Sequence, residues 1–254
     1  RLEACGAQPD AALDAELLEQ VRRVGTRYEE TLEMLSWQVR DLPVFESNEE
    51  LRLEWGFRSS GNMVWVVVVW DTPDVDLVRA LAGRLERSLS DHYDTGVISC
   101  EPLWQKRAYE EIWHKVSVVE AAGKTTMDEI LIDSTVDALD EPLGAVWVCS
   151  YTPDAAALEA GEMLGVRWPP PRPGSTRSTD LMSAIAMRPL DGEVGVQQRL
   201  VVQAKLPPLM AKSLAMMPSW GVRRLVRKKV EDEVQSLRGF LRSSGELGDR
   251  MAAP

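Results

Sequence analysis

The sequence has few of the residues on which catalysis, metal binding and disulfide formation depend. It contains two histidines, His92 and His114, and three cysteines that lie far apart in the chain. Widely spaced cysteines in an odd number give neither a disulfide framework nor a zinc-ligand pattern, and they favour a reducing compartment over secretion. Phosphate-binding loops, nucleophile elbows, zinc-protease motifs and dinucleotide-binding glycine motifs are also absent. We therefore expect no catalytic activity and no cofactor.

Long apolar segments and an excess of positive charge are missing as well. The formal net charge of −11 argues against nucleic acid as the main partner, because phosphate binding depends on Lys and Arg. No segment is apolar over the roughly 20 residues that a membrane-spanning helix needs, and no signal peptide is recognisable. We expect an intracellular location, in the cytoplasm or in the lumen or stroma of an organelle. The chain begins at Arg1 instead of Met, so a targeting segment removed from its N-terminus is left open.

The segment 63–70, MVWVVVVW, is apolar at every position. Its β-branched and aromatic side chains favour an extended strand. An antiparallel strand with one face in water would alternate apolar and polar residues, and this one does not. We therefore expect a strand with both faces covered, by packed protein or by a bound apolar molecule.

Periodicity along the chain predicts strands that are grouped between helices. An apolar stripe over 13–35 indicates a long N-terminal helix, and a second stripe over 222–241 indicates a long C-terminal helix. Thr72 and Pro73 suit the N-cap and the first position of a helix over 72–89. Strands are predicted at 39–45, 51–57, 63–70, 96–100, 109–119, 128–136, 144–151, 181–187 and 194–203. This order is typical of an α+β fold in which an antiparallel sheet buries the stripe of the last helix.

Three stretches carry a resemblance to a known family. MVWVVVVWDTPDVDLVRALAGRL (63–85) resembles a family strand that runs into a helix, and ISCEPLWQKRAYEEIWHKVSV (98–118) resembles the next strand pair. The stretch from 194 to 241 resembles the closing strand, a Leu-Pro step and the last helix. The family is the START domain, the steroidogenic acute regulatory protein-related lipid-transfer family.

The resemblance implies the helix-grip fold, in which a curved antiparallel sheet wraps around a long C-terminal helix. It implies an N-terminal helix and lead-in at 1–36, a START-like lipid-binding domain at 37–243 and a C-terminal tail at 244–254. Two departures concern the ligand: the Arg-Asp pair common in the family's central strands is not evident, and the loop 168–178 looks long.

A helix-grip fold implies an interior tunnel for one hydrophobic ligand, such as a sterol, a phospholipid, a carotenoid or another isoprenoid. The predicted function is non-catalytic binding, and transfer, of that ligand. The strand 63–70 would face the tunnel on one side and a flanking helix on the other. Arg199 and His114 are the candidates for a polar contact to the ligand's head, although both also suit structurally paired positions. The predicted apolar lining is Trp65, Val67, Val69, Trp113, Trp147, Met210, Leu214 and Met217.

Two chemical alternatives are weaker. Asp91, His92 and Asp94 lie close enough in sequence for a metal site, but a solvated turn is the commoner use of such a cluster. A cyclase of the polyketide type, which shares the broader fold, needs an acid–base pair inside the tunnel. Strand alternation points His114 and Glu111 to opposite faces, so this pair cannot serve.

A basic amphipathic segment begins the last helix. It holds Arg223, Arg224, Arg227, Lys228 and Lys229 around a valine stripe. Such a segment suits peripheral contact with an anionic membrane or an acidic partner, and it also suits a solvated face in an acidic chain.

The alternative function is that of an accessory or interaction subunit of a larger assembly, with no transported ligand. The proline-rich loop 168–178, WPPPRPGSTRS, suits a polyproline ligand for the groove of a partner protein, and it also suits a stiff connection. Trp168 and Trp220 are the predicted anchors of such an interface. In that case we expect a tunnel that is collapsed or filled by its own side chains.

Overall fold

The computed structural model describes residues 29–85, 94, 96–107, 110–120, 124–139, 144–163 and 165–243. The predicted N-terminal helix falls within it only at 29–36, which are helical and form α1. The rest of that helix, the predicted tail 244–254 and the metal candidates Asp91 and His92 lie outside the described residues.

Within this part of the chain, helices and strands follow α1 in the predicted grouping. The other helices are α2 (Leu77–Leu85), α3 (Ala155–Ala160), α4 (Pro208–Met216) and α5 (Ser219–Arg242). The strands are β1 (Val44–Asn48), β2 (Leu53–Ser60), β3 (Met63–Pro73), β4 (Val97–Arg107), β5 (Glu110–Glu120), β6 (Lys124–Ala138), β7 (Ala145–Tyr151), β8 (Glu162–Met163), β9 (Val166–Arg167), β10 (Ser175–Arg177), β11 (Leu181–Pro189) and β12 (Gly195–Lys205).

Most strands join one large antiparallel sheet with the order β1-β2-β3-β12-β11-β7-β6-β5-β4. The late strand β12 pairs with β3 along its whole length, from Gly195 opposite Pro73 to Lys205 opposite Met63. The short β10 adds to β6 in parallel, and β8 and β9 form a separate ribbon. Antiparallel strands grouped between helices give the predicted α+β fold.

The strand β3 is buried on both faces of the sheet. Val66, Val68 and Trp70 belong to a core that includes α5, and we call this side of the sheet the inner face. Val67 and Val69 belong to a second core on the opposite side, the outer face. Val67 and Val68 are 0% and 3% exposed. The prediction that both faces of 63–70 are covered is confirmed, and it explains why this segment of β3 has no polar positions.

The long helix α5 packs on the inner face and confirms the predicted C-terminal helix. Its buried apolar residues recur at three- and four-residue steps, including Val230, Val234, Leu237 and Leu241. Fully burying each such side chain contributes about 1.5–3 kcal/mol. Arg238 adds hydrogen bonds from Nη2 to the backbone carbonyls of Leu51 and Asp71, which fix the helix to the β2–β3 hairpin. None of the described helices is both long and apolar enough to cross a membrane.

The outer face is covered by α1 and by the segment around α3. Met34 and Leu35 of α1 pack in one cluster with Trp147, Tyr151 and Trp168. These five residues are 8% exposed or less. The outer face is therefore a filled protein core.

The predicted start of the second helix is wrong. The strand β3 continues through Pro73, and α2 begins only at Leu77. Thr72 is fully buried, and its hydroxyl accepts a hydrogen bond from Gln198 Nε2 at 3.1 Å. The Thr72 side chain therefore stabilises the β3–β12 pair and does not cap a helix, because its hydroxyl is bonded to Gln198 of β12.

The predicted strand 39–45 is also wrong over most of its length. Val39–Asp41 form a 3₁₀ turn, and β1 begins at Val44. Pro43 lacks the backbone N–H that strand pairing uses, so pairing starts after it.

Candidate ligand-binding cavity

A cavity of about 380 Å³ lies between the inner face of the sheet and α5. Its position follows from the fold, because α5 packs on the inner face of the sheet and covers only part of it. Under β3 and β12 the lining is apolar, and under β5 and β6 it carries charged and hydroxyl groups. The apolar end is lined by Val68, Trp70, Leu200, Val202, Val234 and Leu237. The polar end is lined by Asp94, Lys115, Ser117, Glu129, Lys229 and Glu233.

A chain of ion pairs at the polar end connects the sheet to α5. The Asp94 carboxylate lies 3.4 Å from Lys115 Nζ and 3.4 Å from Lys229 Nζ. Lys229 Nζ is also 2.7 Å from Glu233, one turn further along α5. The Gly96 amide donates to Asp94 at 3.1 Å. Asp94 therefore bridges one ammonium on the sheet and one on the helix.

The bridging position changes how these groups ionise. Burial by itself raises the pKa of Asp94, but the charges of Lys115 and Lys229 and the Gly96 amide outweigh it, so the pKa lies below its usual value. Burial likewise lowers the pKa of Lys229, and the carboxylates of Glu233 and Asp94 reverse that effect and raise it. The Asp94 carboxylate and the Lys229 ammonium are therefore both charged near neutral pH.

Replacing Asp94 with asparagine should lower the free energy of unfolding at pH 7 by about 1–2 kcal/mol, because the two ammonium groups lose their shared carboxylate. The pKa of Asp94 is lower in the folded than in the unfolded chain, so the carboxylate stabilises the fold above its unfolded value of about 3.9. This contribution is lost as the pH falls through the folded-state value. Urea unfolding of both proteins should show a difference that is largest near neutrality and disappears in acid. A difference that is constant from neutral to acidic pH would contradict the ion-pair assignment.

Further polar groups lie deeper on the inner face. Glu129 stands opposite Lys115 in the β5–β6 register and is 8% exposed. Ser150 on β7 pairs in register with Ser183 on β11, and both line the cavity. Arg84 lies 5.8 Å over the ring of Trp70 near the apolar end. The cavity thus offers an apolar section and a hydrogen-bonding section to one molecule.

Five predicted site residues lie on the outer face, so their predicted position in the tunnel is wrong. Val67, Val69 and Trp147 belong to the outer core. Trp65 shares their side of β3 and donates from Nε1 to Gln203 Oε1 at 3.2 Å. Arg199 donates to the carbonyl of Trp37, which follows α1. Side chains alternate along β3, and the even-numbered set faces α5.

The two predicted residues on β5 lie on opposite faces of the sheet. Trp113 is on the same side of β5 as Lys115, is 1% exposed and donates to Glu111 at 3.0 Å. His114 points the other way, with Nε2 3.2 Å from Asp128 Oδ2, so it lies outside the cavity. Its separation from Glu111 agrees with the predicted alternation, which weakens the cyclase alternative.

Three predicted residues belong to the α4 region. Leu214 and Met217 contact the inner core, and Met210 is 6% exposed. The described lining of the cavity does not include them.

Sequence reasoning missed the polar end of the cavity. Lys115 and Glu129 are charges inside predicted strands, a pattern that indicates an enclosed polar site. Asp94 and Lys229 join them only through the fold, since 135 positions separate the two residues in the chain. No local pattern reveals that pairing.

Three of the five predicted membrane-contact cations are engaged within the chain. Both Arg227 and Arg223 contact Glu46 on β1, at 2.5 and 3.5 Å. Lys229 belongs to the ion-pair chain of the cavity. Arg224 and Lys228 are exposed.

A wider surface cleft of about 490 Å³ lies beside Glu46 and Arg227 and is lined mainly by acidic and polar side chains. Its lining lacks the apolar section that the cavity has.

The proline-rich loop 168–178 is fixed to strand β6 by a buried carboxylate. Asp128 is 0% exposed, and its Oδ1 lies 2.6 Å from Arg177 Nε. Its Oδ2 accepts from the Arg172 amide at 3.0 Å and faces His114. Arg177 also donates to the carbonyl of Pro169 at 2.9 Å. The loop is therefore held at several points.

The two tryptophans predicted as interface anchors differ. Trp168 is 8% exposed and packs in the outer core of its own chain, so its predicted role as an anchor for a partner is wrong. Trp220 is 68% exposed. The prolines at 170, 171 and 173 are also exposed.

Comparison with known proteins shows a shared fold at low sequence identity. No protein-family model and no curated protein matches the sequence. The structure of a STAR-related lipid transfer protein from Xanthomonas axonopodis matches with a TM-score of 0.56 and 13% identity, over 79% of this chain and 98% of that chain. Human STARD10 matches with a TM-score of 0.57 and 9% identity, over 83% and 82% of the two chains. The lipid transfer and protein localization domain of human StarD13 matches with a TM-score of 0.52 and 14% identity, over 87% and 96%.

These likenesses concern the arrangement of the backbone. The chain has a START-like fold, with a large antiparallel sheet and a C-terminal helix. The predicted fold class is confirmed.

Proposed function

We propose that this protein binds one small, largely apolar molecule in the cavity between the sheet and α5, and that it carries out no reaction on it. The observation that supports this most is the cavity between the sheet and α5, which is lined by both apolar and hydrogen-bonding groups. The solved structures with this fold that are described as lipid transfer proteins support the same class of ligand. Transfer of the ligand between membranes is the expected use of such binding.

The size of the cavity favours a compact ligand. A volume of about 380 Å³ is at the low end of the roughly 300–1,000 Å³ of small-molecule pockets. A molecule with a single apolar body, such as a sterol or a short isoprenoid, suits this volume better than a phospholipid with two acyl chains.

The charges of the cavity favour a ligand whose polar group is uncharged. At the polar end two ammonium groups, on Lys115 and Lys229, face the carboxylates of Asp94, Glu129 and Glu233. The Arg84 guanidinium also lines the cavity, so the three cations and three carboxylates of the lining balance, and a carboxylate or phosphate on the ligand would leave the filled cavity with a net negative charge. A hydroxyl or carbonyl group adds no charge and finds both donors and acceptors here. The proposed ligand is therefore a neutral amphipathic alcohol or ketone.

The proposed binding residues differ from those that the sequence suggested. Lys115, Glu129 and Ser150 would contact the polar group, and the apolar body would lie against Trp70, Leu200 and Val202 or their neighbours. Trp113, Leu214 and Met217 would support the inner core beside the ligand.

The test offers three probes separately: a fluorescent sterol alcohol, a fatty acid of similar length and a diacyl phosphatidylcholine. We expect one sterol molecule per chain, with the other two probes bound at least about tenfold more weakly. Native mass spectrometry of the purified protein measures stoichiometry and any molecule that purifies with it. Absence of uptake for all three probes, together with absence of a co-purified molecule, would contradict the proposal. Tighter binding of the fatty acid than of the sterol alcohol would contradict the proposal that the ligand's polar group is uncharged. It would leave the proposed binding cavity standing.

One observation favours the alternative of an accessory or interaction subunit. The loop 168–178 displays exposed prolines while the buried Asp128 carboxylate holds its backbone. A fixed, extended proline segment is a suitable ligand for an aromatic groove on another protein. The open cavity favours the binding function over this alternative, which expects a collapsed one.

A further inference from the structure

The two ends of the cavity differ in how far they are exposed to solvent. Four residues of the apolar end are between 2% and 4% exposed: Val68, Trp70, Val234 and Leu237. Leu200 and Val202, which complete this end, are partly buried. At the polar end, the side chains of Lys229 and Glu233 are 50% and 37% exposed, and that of Asp94 is 21% exposed. Solvent therefore reaches the cavity from its polar end.

The apolar end is closed by packed backbone and side chains. Arg238 of α5 donates from Nη2 to the carbonyl of Asp71, the residue that follows Trp70 on β3. The helix α2 covers the same end, where its Arg84 lies 5.8 Å over the Trp70 ring and its Ala80 is fully buried. A bulky group on the ligand would meet packed protein here.

Across the polar end, side chains join the sheet to α5. The Asp94 carboxylate lies 3.4 Å from Lys115 Nζ and 3.4 Å from Lys229 Nζ, and Lys229 Nζ lies 2.7 Å from Glu233. Ion pairs between partly exposed, flexible side chains hold weakly, because water competes for both charges. The same ammonium and carboxylate groups can donate to and accept from hydroxyl groups of a ligand. A ligand that projects from this end would meet water and hydrogen-bonding side chains.

The two ends are too far apart for one polar group to reach both. Trp70 lies on β3 and Lys115 on β5, and β12, β11, β7 and β6 lie between these two strands. At about 4.8 Å between neighbouring strands, the separation along the sheet is about 24 Å before curvature shortens it. A hydroxyl placed at the apolar end would be buried among apolar side chains, which is unfavourable. The orientation of an amphipathic ligand is therefore fixed by the cavity.

We propose that the ligand binds with its apolar body at the closed end and its polar group directed outward, and that the site also accepts a ligand whose hydroxyl oxygen carries a sugar. The inference rests on the proposed function, and it adds an orientation and a second substrate class, the neutral lipid glycosides. The hydroxyl oxygen would lie near Lys115, Glu129 and Ser150. The sugar would extend beyond it toward the more exposed Lys229 and Glu233.

The chemistry of the polar end favours a sugar over other substituents on that oxygen. Sugar hydroxyls both donate and accept, so the ammonium and the carboxylate groups can each bind them. A sugar adds no charge to a lining whose charges balance. An acyl ester would instead leave an apolar chain in water at the open end.

The test is competition against the bound fluorescent sterol alcohol by three unlabelled molecules. They are the free sterol, its glucoside at the hydroxyl oxygen, and a sterol with a free hydroxyl and a bulky neutral group at the end of its side chain. We expect the glucoside to bind within about threefold of the free sterol, and the third molecule at least about tenfold more weakly. Its bulky group would not fit the closed end, and reversing the molecule would bury its hydroxyl among apolar side chains.

A matched pair of variants locates the sugar. Glu233→Ala should weaken binding of the glucoside by about fivefold or more and change binding of the free sterol by less than about twofold. Asp232→Ala removes a carboxylate from the next position of α5, which is exposed and outside the cavity lining, so binding of both molecules should stay unchanged. Both variants change side chains that reach solvent, and their unfolding midpoints should stay close to that of the unchanged chain.

The possible failures are distinguishable. Exclusion of the glucoside while the free sterol binds would overturn the inference and leave the proposed function standing. Equal binding of the glucoside and the molecule extended at its side chain would show that the cavity fixes no orientation, and would also overturn it. Equal effects of Glu233→Ala on the glucoside and the free sterol would contradict the position given to the sugar. Absence of any sterol uptake would contradict the proposed function itself.

Discussion

Replacing Ser183 with tryptophan should reduce ligand uptake by at least about tenfold while the protein still folds. Ser183 lies on β11 between Ser150 of β7 and Val202 of β12, and all three residues line the cavity. An indole at this position would occupy much of the cavity of about 380 Å³ and would separate its apolar section from its polar section. Because the added side chain enters existing space, the expected cost in stability stays within the roughly 1–3 kcal/mol of overpacking. Titration with the fluorescent sterol alcohol measures the effect.

Two matched variants make this result specific. Ser183→Ala removes the hydroxyl and leaves the volume open, so most of the uptake should remain. Trp65→Ala removes a large side chain from the outer side of β3, where it contacts Gln203 and Arg58, so uptake should not change. Full uptake by the Ser183→Trp variant would contradict the location of the site. Loss of uptake in the Trp65→Ala variant would indicate that the ligand binds on the outer face of the sheet, next to the residues that the sequence suggested.

The case of β3 shows what the sequence could and could not predict. Its unbroken apolar run requires two dry faces, and the structure has them. The same run removes the information that alternation normally carries, because either set of residues is equally suited to face α5. Trp65, Val67 and Val69 were therefore placed on the wrong side of the sheet, although the strand itself was predicted correctly. Only pairing with neighbours of mixed polarity, such as β12 with its buried Gln198, distinguishes the two faces.

The polar end of the cavity was less accessible to sequence reasoning for a different reason. Lys115 and Glu129 lie on adjacent strands and come together only through the β5–β6 register. Asp94 precedes β4, and Lys229 lies in the middle of α5, so only the closed fold brings them within 3.4 Å. Helix periodicity predicted α5 well because its stripe is local. Contacts between residues that are far apart in the chain leave no such local pattern.

The proline-rich loop leads to the second large expected effect. The sequence showed that 168–178 is stiff and polar, but it did not show that Asp128 lies beneath the loop. This carboxylate is fully buried and faces two side chains, Arg177 and His114, that are each 14% exposed. Burying such groups is costly unless every partner stays in place. The polar contacts that hold the loop therefore centre on one carboxylate of β6.

Replacing Asp128 with alanine should lower the free energy of unfolding by about 3–5 kcal/mol, because Arg177 would stay buried without its carboxylate. The Arg172 amide would lose its acceptor as well, so the loop should become sensitive to proteolysis. Urea denaturation measures the loss, and the site of first cleavage shows whether the loop is released before the sheet unfolds. Asp128→Asn keeps an acceptor of the same shape and should cost less. Asp180→Ala breaks the exposed pair with Lys205, and should cost only about 1 kcal/mol or less.

A double-mutant cycle separates the ion pair from the other contacts of Asp128. If the carboxylate mainly compensates the buried guanidinium, Arg177→Met should remove most of the penalty of Asp128→Ala. The double variant should then be more stable than Asp128→Ala alone, and the coupling energy should be at least about 1 kcal/mol. Additive losses in the two single variants would show that Asp128 acts through the Arg172 amide and His114 instead. A loss below about 1 kcal/mol in Asp128→Ala would show that the loop holds its position by packing of Trp168 and not by the buried charge.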